Sequence, residues 1–135
     1  AAAAVSDCRM AGGPSKEKLR RDGALTLHLE PTPDLLAGIA AALGPRAKRV
    51  TKLIGFSAES GATKRAAEKL TAKDLDLIVA NDVSAPGIGF ESAENAVEIL
   101  HVDGSTQRIG PAPKRVVADG ILDQAVRLLR GATHA

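Results

Sequence analysis

Asn81, Asp82 and Ser84 follow directly on a short apolar run, residues 77–80, within Leu75-Asp-Leu-Ile-Val-Ala-Asn-Asp-Val-Ser84. A continuous apolar run that ends abruptly in polar residues reads as a buried strand of a parallel sheet. Ligands of such sheets gather beyond the carboxyl ends of the strands. The spacing therefore puts an amide, a carboxylate and a hydroxyl where chemistry is done. Asp7 follows a first short apolar stretch, residues 1–5, in the same way, and residues 56–59 close a third. Basic groups lie around these ends: Lys16, Lys18, Arg20 and Arg21 in one polar segment, and Lys69 and Lys73 on a helix. A carboxylate beside mobile ammonium groups suits a polyphosphate with a divalent cation. The acid holds the cation and the lysines neutralise phosphate oxygens. Each group also has a plainer reading. Asp7 serves as a turn residue, the basic segment as a solvated surface run, Lys69 and Lys73 as exposed helix residues, and Asn81-Asp82 as a turn that caps nearby backbone.

The elements that must position these groups follow from the pattern. Residues 1–5 read as a strand end and residues 6–9 as a polar turn after it. Residues 10–23, rich in Gly, Lys, Arg and Glu and without a period, read as a mobile loop. Residues 25–30 alternate as a half-buried strand. Thr32-Pro33-Asp34 reads as a helix start, with Thr32 as cap, Pro33 in the first position and Asp34 against the dipole. That helix runs to Leu43, with Leu35, Leu36, Ile39, Ala40 and Leu43 on one stripe, and Gly44-Pro45 stops it. A basic connector, residues 46–49, leads to a strand over 50–58. A helix over 61–73 buries Ala62, Ala66 and Leu70 and carries Arg65, Lys69 and Lys73 on another face. Residues 96–102 and 107–109 flank Asp103-Gly104, a hairpin signal. The last helix spans 114–130, with Gly120 inside it at a cost of about 1 kcal/mol relative to Ala. The order is that of an α/β domain: a Rossmann-like parallel sheet flanked by helices, with an added antiparallel hairpin.

Composition removes other classes. The chain has 135 residues, the scale of one domain or part of one. Two Phe and no Trp or Tyr leave no stacking platform for single-stranded nucleic acid, and a net charge of +2 leaves no basic footprint. No stretch approaches a membrane span. The single cysteine, Cys8, fits a reducing compartment, here read as the cytoplasm. His28, His101 and His134 show no metal-ligand spacing. There is no P-loop and no GxGxxG, as an oxidoreductase of Rossmann type would need. The absent initiator Met and the short opening run are read as a chain that begins inside a larger protein, so the domain is expected to be incomplete.

Six segments, in order, resemble phosphopantothenate–cysteine ligase, the carboxyl-terminal half of the bifunctional flavoprotein of coenzyme A biosynthesis. Ala3-Ala-Val-Ser-Asp-Cys-Arg9 resembles its Ala-Ala-Val-Ala-Asp-Tyr-Arg, and Glu17-Lys-Leu-Arg-Arg21 its Glu-Lys-Ile-Lys-Lys loop. Thr32-Pro-Asp-Leu-Leu36 is similar to its Pro-Asp-Ile-Leu helix start, and Gly55-Phe-Ser-Ala-Glu-Ser60 to Gly-Phe-Ala-Ala-Glu-Thr. The 75–84 string is nearly the family's own, and Gly89-Phe90 with Asn95 matches Gly-Phe-x-Ser-x-x-Asn. Residues 1–135 are thus read as the carboxyl-terminal portion of a ligase domain, the resemblance running to about residue 125.

The resemblance implies CTP-dependent ligation of cysteine to 4′-phosphopantothenate through an acyl-cytidylate, with Mg2+ on the triphosphate. FMN would belong only to the decarboxylase domain, which this sequence lacks. By the same resemblance Asp7 joins the nucleotide and metal site, and Lys18, on a flap-like loop, neutralises phosphate charge as the catalytic residue. Ala1, Ala2, Ala3, Pro33, Asp34, Leu35, Leu36, Phe56, Lys69 and Lys73 match positions lining the nucleotide pocket. Asn81, Asp82, Ser84, Phe90 and Asn95 would support either the site or a contact between two ligase domains of a homodimer. The sequence departs from the family at Cys8, where an aromatic stands, and at Arg20-Arg21, where lysines stand; Arg alters the geometry of phosphate contact. The Gly- and Ser-rich phosphate loop and an Asn important for the acyl-cytidylate lie upstream in the family, so this portion alone is expected to be inactive. A non-catalytic nucleotide-binding or dimerisation module, built on the hairpin and the Gly89-Phe90 loop, is the alternative.

Overall fold

A computed structural model describes residues 6–13, 18, 23–58, 62–81 and 92–131. Strand β1 is Cys8–Met10 and β2 is Leu29–Pro31; they pair antiparallel, Cys8 opposite Pro31. Helix α1, Leu35–Leu43, leads through a short 3-10 turn, Arg46–Lys48, to β3, Ile54–Ala58. Helix α2, Ala62–Ala72, returns the chain to β4, Leu77–Asn81. Strands β5, Glu94–His101, and β6, Thr106–Pro113, precede α3, Lys114–Gly131. Among the described residues the main sheet has the order β3-β4-β5-β6. Only β3 and β4 run parallel; β4 with β5, and β5 with β6, are antiparallel. The domain is therefore a mixed sheet with three helices and a separate two-stranded hairpin, in which the parallel order is confined to one β-α-β unit.

The central strand explains why the sheet is covered on both faces. Leu77, Ile78, Val79 and Ala80 are all buried. Alternation sends Ile78 and Ala80 to one face, where Ala40 of α1 and Ala66 and Leu70 of α2 pack with Leu53, Leu75 and Leu100. It sends Leu77 and Val79 to the other, where they meet Val97, Ile99 and Val117 of α3. Two glycines are set by this packing. A Cβ on Gly55 would come within 2.6 Å of Leu75 Cδ1, and one on Gly120 within 2.7 Å of Ile109 Cδ1. The helix-interior glycine is thus where α3 crosses Ile109 of β6.

Several expectations are corrected. Residues 8–10, read as part of a turn and a loop, form β1. The strand expected over 25–30 is only Leu29–Pro31, and Leu25, Leu27 and Leu29 are exposed, because β2 pairs with β1 and not with the main sheet. The strand expected from Val50 starts at Ile54; Val50 is 87% exposed. The apolar stripe of α1 splits: Leu36 and Ala40 join the core, while Leu35, Ile39 and Leu43 face outward. On α3, Val117, Ile121 and Leu128 pack inward, but Val116, Leu122, Val126 and Leu129 are exposed and Gln124 is buried. The strand expected over 1–5 lies outside the described residues.

Candidate functional site

The start of α1 gathers several of the expected residues. The cap is Asp34, not Thr32: Asp34 Oδ1 accepts the Ala37 N–H at 3.0 Å, and the helix begins at Leu35. Thr32 is occupied elsewhere. Its hydroxyl donates to the Ser6 carbonyl, and its N–H donates to the Asp7 carbonyl at 2.9 Å. A side chain spent on tying down residue 6 cannot also cap the helix. The consequence is spatial: the backbone of Asp7 is pinned to Thr32, directly ahead of Pro33 and Asp34.

The end of helix α2 supplies the cations, Lys69 in its last turn and Lys73 one residue past it. Lys73 Nζ lies 2.9 Å from Asp34 Oδ2, and Lys69 Nζ lies 3.5 Å from Ser57 Oγ on β3. The four-residue spacing puts both lysines on one face. One ammonium thus reaches the start of α1 and the other the end of β3. The Ala37 N–H, and then Lys73, hold the Asp34 carboxyl below its ordinary value of 3.8. Lys73 is partly exposed and Asp34 nearly half exposed, so this pair exchanges partners at little cost, and an incoming phosphate could take Lys73 from the carboxylate.

An ion cluster below fixes α1 against α2. Arg46 donates through its backbone N–H to Asp74 Oδ2 at 3.1 Å and through Nη1 to the Leu75 carbonyl at 3.0 Å. Arg49, nearly fully buried, reaches Asp74 Oδ2 at 3.2 Å and Asp76 Oδ2 at 3.4 Å, and donates to the Asp74 carbonyl. The segment read simply as a basic connector is therefore the joint that ties the end of α1 to the turn after α2. The signal for it was in the sequence: two aspartates bracket Leu75 directly before a buried strand. Ser57, the partner of Lys69, was missed as an individual residue.

The remaining expected residues fall as follows. Phe56 is 47% exposed, on the face opposite Ser57 by strand alternation. Pro33 and Leu35 are exposed, and Leu36 packs against the core. Asn81 ends β4 opposite Ala58, with Oδ1 buried and without a hydrogen-bond partner among the described residues. Asn95 lies opposite Ala112 at the bulge of β5, its Oδ1 accepting the Ala96 N–H at 3.0 Å. Lys18 is exposed, in the segment joining β1 to β2. That segment leaves β1 at Met10, so reaching Asp7 means folding back along the ladder by about 10 Å, at roughly 3.4 Å per residue. Ala1, Ala2, Ala3, Asp82, Ser84 and Phe90 lie outside the described residues. Among the described residues no group of three His, Cys, Asp or Glu could hold a metal by itself. A lone carboxylate such as Asp7 suits Mg2+ that is already bound to phosphate oxygens and water.

An α/β domain with cations at the edge of one β-α-β unit is the class of protein these elements define. The chain belongs to the family of the DNA/pantothenate metabolism flavoprotein C-terminal domain, whose model matches residues 1–129. It is 40% identical over 110 residues to the coenzyme A biosynthesis bifunctional protein CoaBC of Bacillus subtilis, covering 81% of this chain and 26% of that protein. It is 35% identical over 130 residues to CoaBC of Escherichia coli, covering 92% of this chain and 30% of that protein. A crystal structure of the C-terminal domain of a CoaBC superposes with a TM-score of 0.62 at 34% identity, over 76% of this chain and 48% of that one. The chain thus spans under a third of the length of these two curated relatives. Among the described residues no helix is long and apolar enough to cross a membrane.

Proposed function

We propose that this chain is the carboxyl-terminal portion of a CTP-dependent phosphopantothenate–cysteine ligase acting in the cytoplasm as a homodimer of ligase domains. The observation that carries the reading is the convergence at the start of α1: the pinned backbone of Asp7, the Asp34 carboxylate and Lys73 at 2.9 Å from it. The family membership and the CoaBC relatives support it.

In this reading the carboxylate of 4′-phosphopantothenate attacks the α-phosphorus of CTP, and pyrophosphate leaves with the bridging electron pair. The cysteine amine then attacks the acyl carbon; the amide forms, CMP leaves and the nitrogen loses a proton. Asp7 would hold the Mg2+ that accompanies the nucleotide, and Lys69 at the end of α2 and Lys73 just past it compensate phosphate charge. Lys18 closes from the β1–β2 segment on the charge that develops in the transition state. Phe56 offers an apolar surface to the nucleotide. The test is product analysis on the full-length protein. CMP and pyrophosphate should form in equal amounts only when CTP, 4′-phosphopantothenate and cysteine are all present. AMP from ATP with no CMP from CTP would reject the nucleotide assignment.

A further inference from the structure

Ser57 is a buried hydroxyl, 4% exposed, on β3, and the reaction set out above gives it no task. The register lines it up with Ala80 of β4 and Glu98 of β5, so the three side chains form one row on the face that α2 covers. Ala80 is apolar and buried. The Glu98 carboxylate accepts the hydroxyl of Thr63, in the first turn of α2. Both polar members of the row are therefore clasped to the same helix: Glu98 by Thr63, and Ser57 by Lys69, whose Nζ donates to Oγ at 3.5 Å. Ala66, fully buried and three residues before Lys69, lets the helix come close enough to the sheet for this contact.

The contact has a direction. A long side chain on a helix leans toward the helix N-terminus, so Lys69 reaches back from the last turn of α2 toward the carboxyl end of β3. Ligands of α/β sheets gather at that end. An ammonium on a four-carbon stem samples many rotamers, and ordering it against a phosphate costs conformational entropy. A hydroxyl fixed on a buried strand removes part of that cost before the ligand arrives. Because the hydroxyl is neutral, it leaves the ammonium its attraction for an anion. We propose that Ser57 is a positioning residue, whose hydroxyl presets the Lys69 ammonium at the carboxyl end of β3 for the phosphates of the nucleotide. The proposal rests on the nucleotide reading above and adds to it a residue that touches neither substrate nor metal.

The test has two arms, both on the full-length protein. The first needs no nucleotide. Acetylation of Lys69 by N-hydroxysuccinimidyl acetate is followed by peptide mass spectrometry, with exposed Lys64 of the same helix as the internal reference. Ser57→Ala should speed Lys69 acetylation about threefold, near the lower end of what one hydrogen bond is worth because the contact is long, and leave Lys64 unchanged. Ser57→Thr, which keeps the hydroxyl, should restore the parent rate. The second arm is a CTP titration. Ser57→Ala should raise KM for CTP about threefold, with the smaller share of the effect in kcat, and should add nothing in a Lys69→Gln background. An unchanged Lys69 acetylation rate in Ser57→Ala, or a KM effect that is the same with and without Lys69, overturns the proposal. Failure of the nucleotide reading looks different: Lys69→Gln would keep the parent KM for CTP while Ser57→Ala still altered Lys69 acetylation, and the preset ammonium would then serve no phosphate.

Discussion

Replacing Asp34 separates two effects that the structure places on one carboxylate. Oδ1 caps α1 through the Ala37 N–H, and Oδ2 meets Lys73. Loss of an N-cap costs about 0.5–2 kcal/mol, typically about 1. An ion pair this exposed contributes about 0–1 kcal/mol. Asp34→Ala should therefore destabilise the chain by about 1–2 kcal/mol, and Asp34→Asn, which keeps the cap acceptor, by less than about 1. In urea, with a slope of about 1.5 kcal/mol/M, the Ala variant should lower the unfolding midpoint by about 1 M. The ionic part should fade in 1 M salt, where screening reaches about 3 Å. The pH dependence has a defined sign. Asp34 has its carboxyl depressed below 3.8 in the folded state, chiefly by the Ala37 N–H and then by Lys73. Its charge-dependent contribution is thus complete above the unfolded value and is lost as pH falls through the lower folded value. The stability gap between the parent protein and Asp34→Asn should be full at pH 6 and should narrow only below about pH 4. If Asp34→Ala unfolds at the same urea concentration as the parent, or if the Asn variant costs as much as the Ala variant, the cap has been misassigned.

Three further outcomes follow from the same structure. Lys18→Ala in the full-length protein should lower turnover at least about 10²-fold, the loss of one transition-state donor, with an unchanged unfolding midpoint; normal turnover would make Lys18 an ordinary surface residue. Leu75→Ala removes a fully buried side chain packed against Gly55 and should cost about 2–5 kcal/mol in urea unfolding. Gly120→Ala should fall short of the roughly 1 kcal/mol gain expected of helix propensity, because the new Cβ meets Ile109 Cδ1. In an Ile109→Val background, which lacks that atom, the gain should return; a double-mutant cycle without coupling would refute the contact.

The elements were legible in the sequence wherever a local signal was strong. The run 77–80, the Asp103-Gly104 turn and the long period of α3 each specify an element with few alternatives, and the structure has all three. Boundaries failed where a side chain had two possible partners. Thr32 carries the cap signature, but the Ser6 carbonyl took its hydroxyl and Asp34 capped instead. Nothing within residues 25–31 says that their strand would pair with residues 8–10 and remain outside the main sheet. The site was legible as residue types and not as contacts. The run read only as a basic connector contains Arg49, which is buried because Asp74 and Asp76 meet it from 25 and 27 residues away.

The sequence by itself determined the order of elements from β2 onward, the apolar central strand and the family to which these motifs point, because those depend on residues close together in the chain. Tertiary structure decided which strands run parallel, which residue caps α1 and which lysine meets it. Those outcomes rest on competition for hydrogen bonds and charge between segments distant in the chain, where a donor satisfied by one partner is no longer available to another.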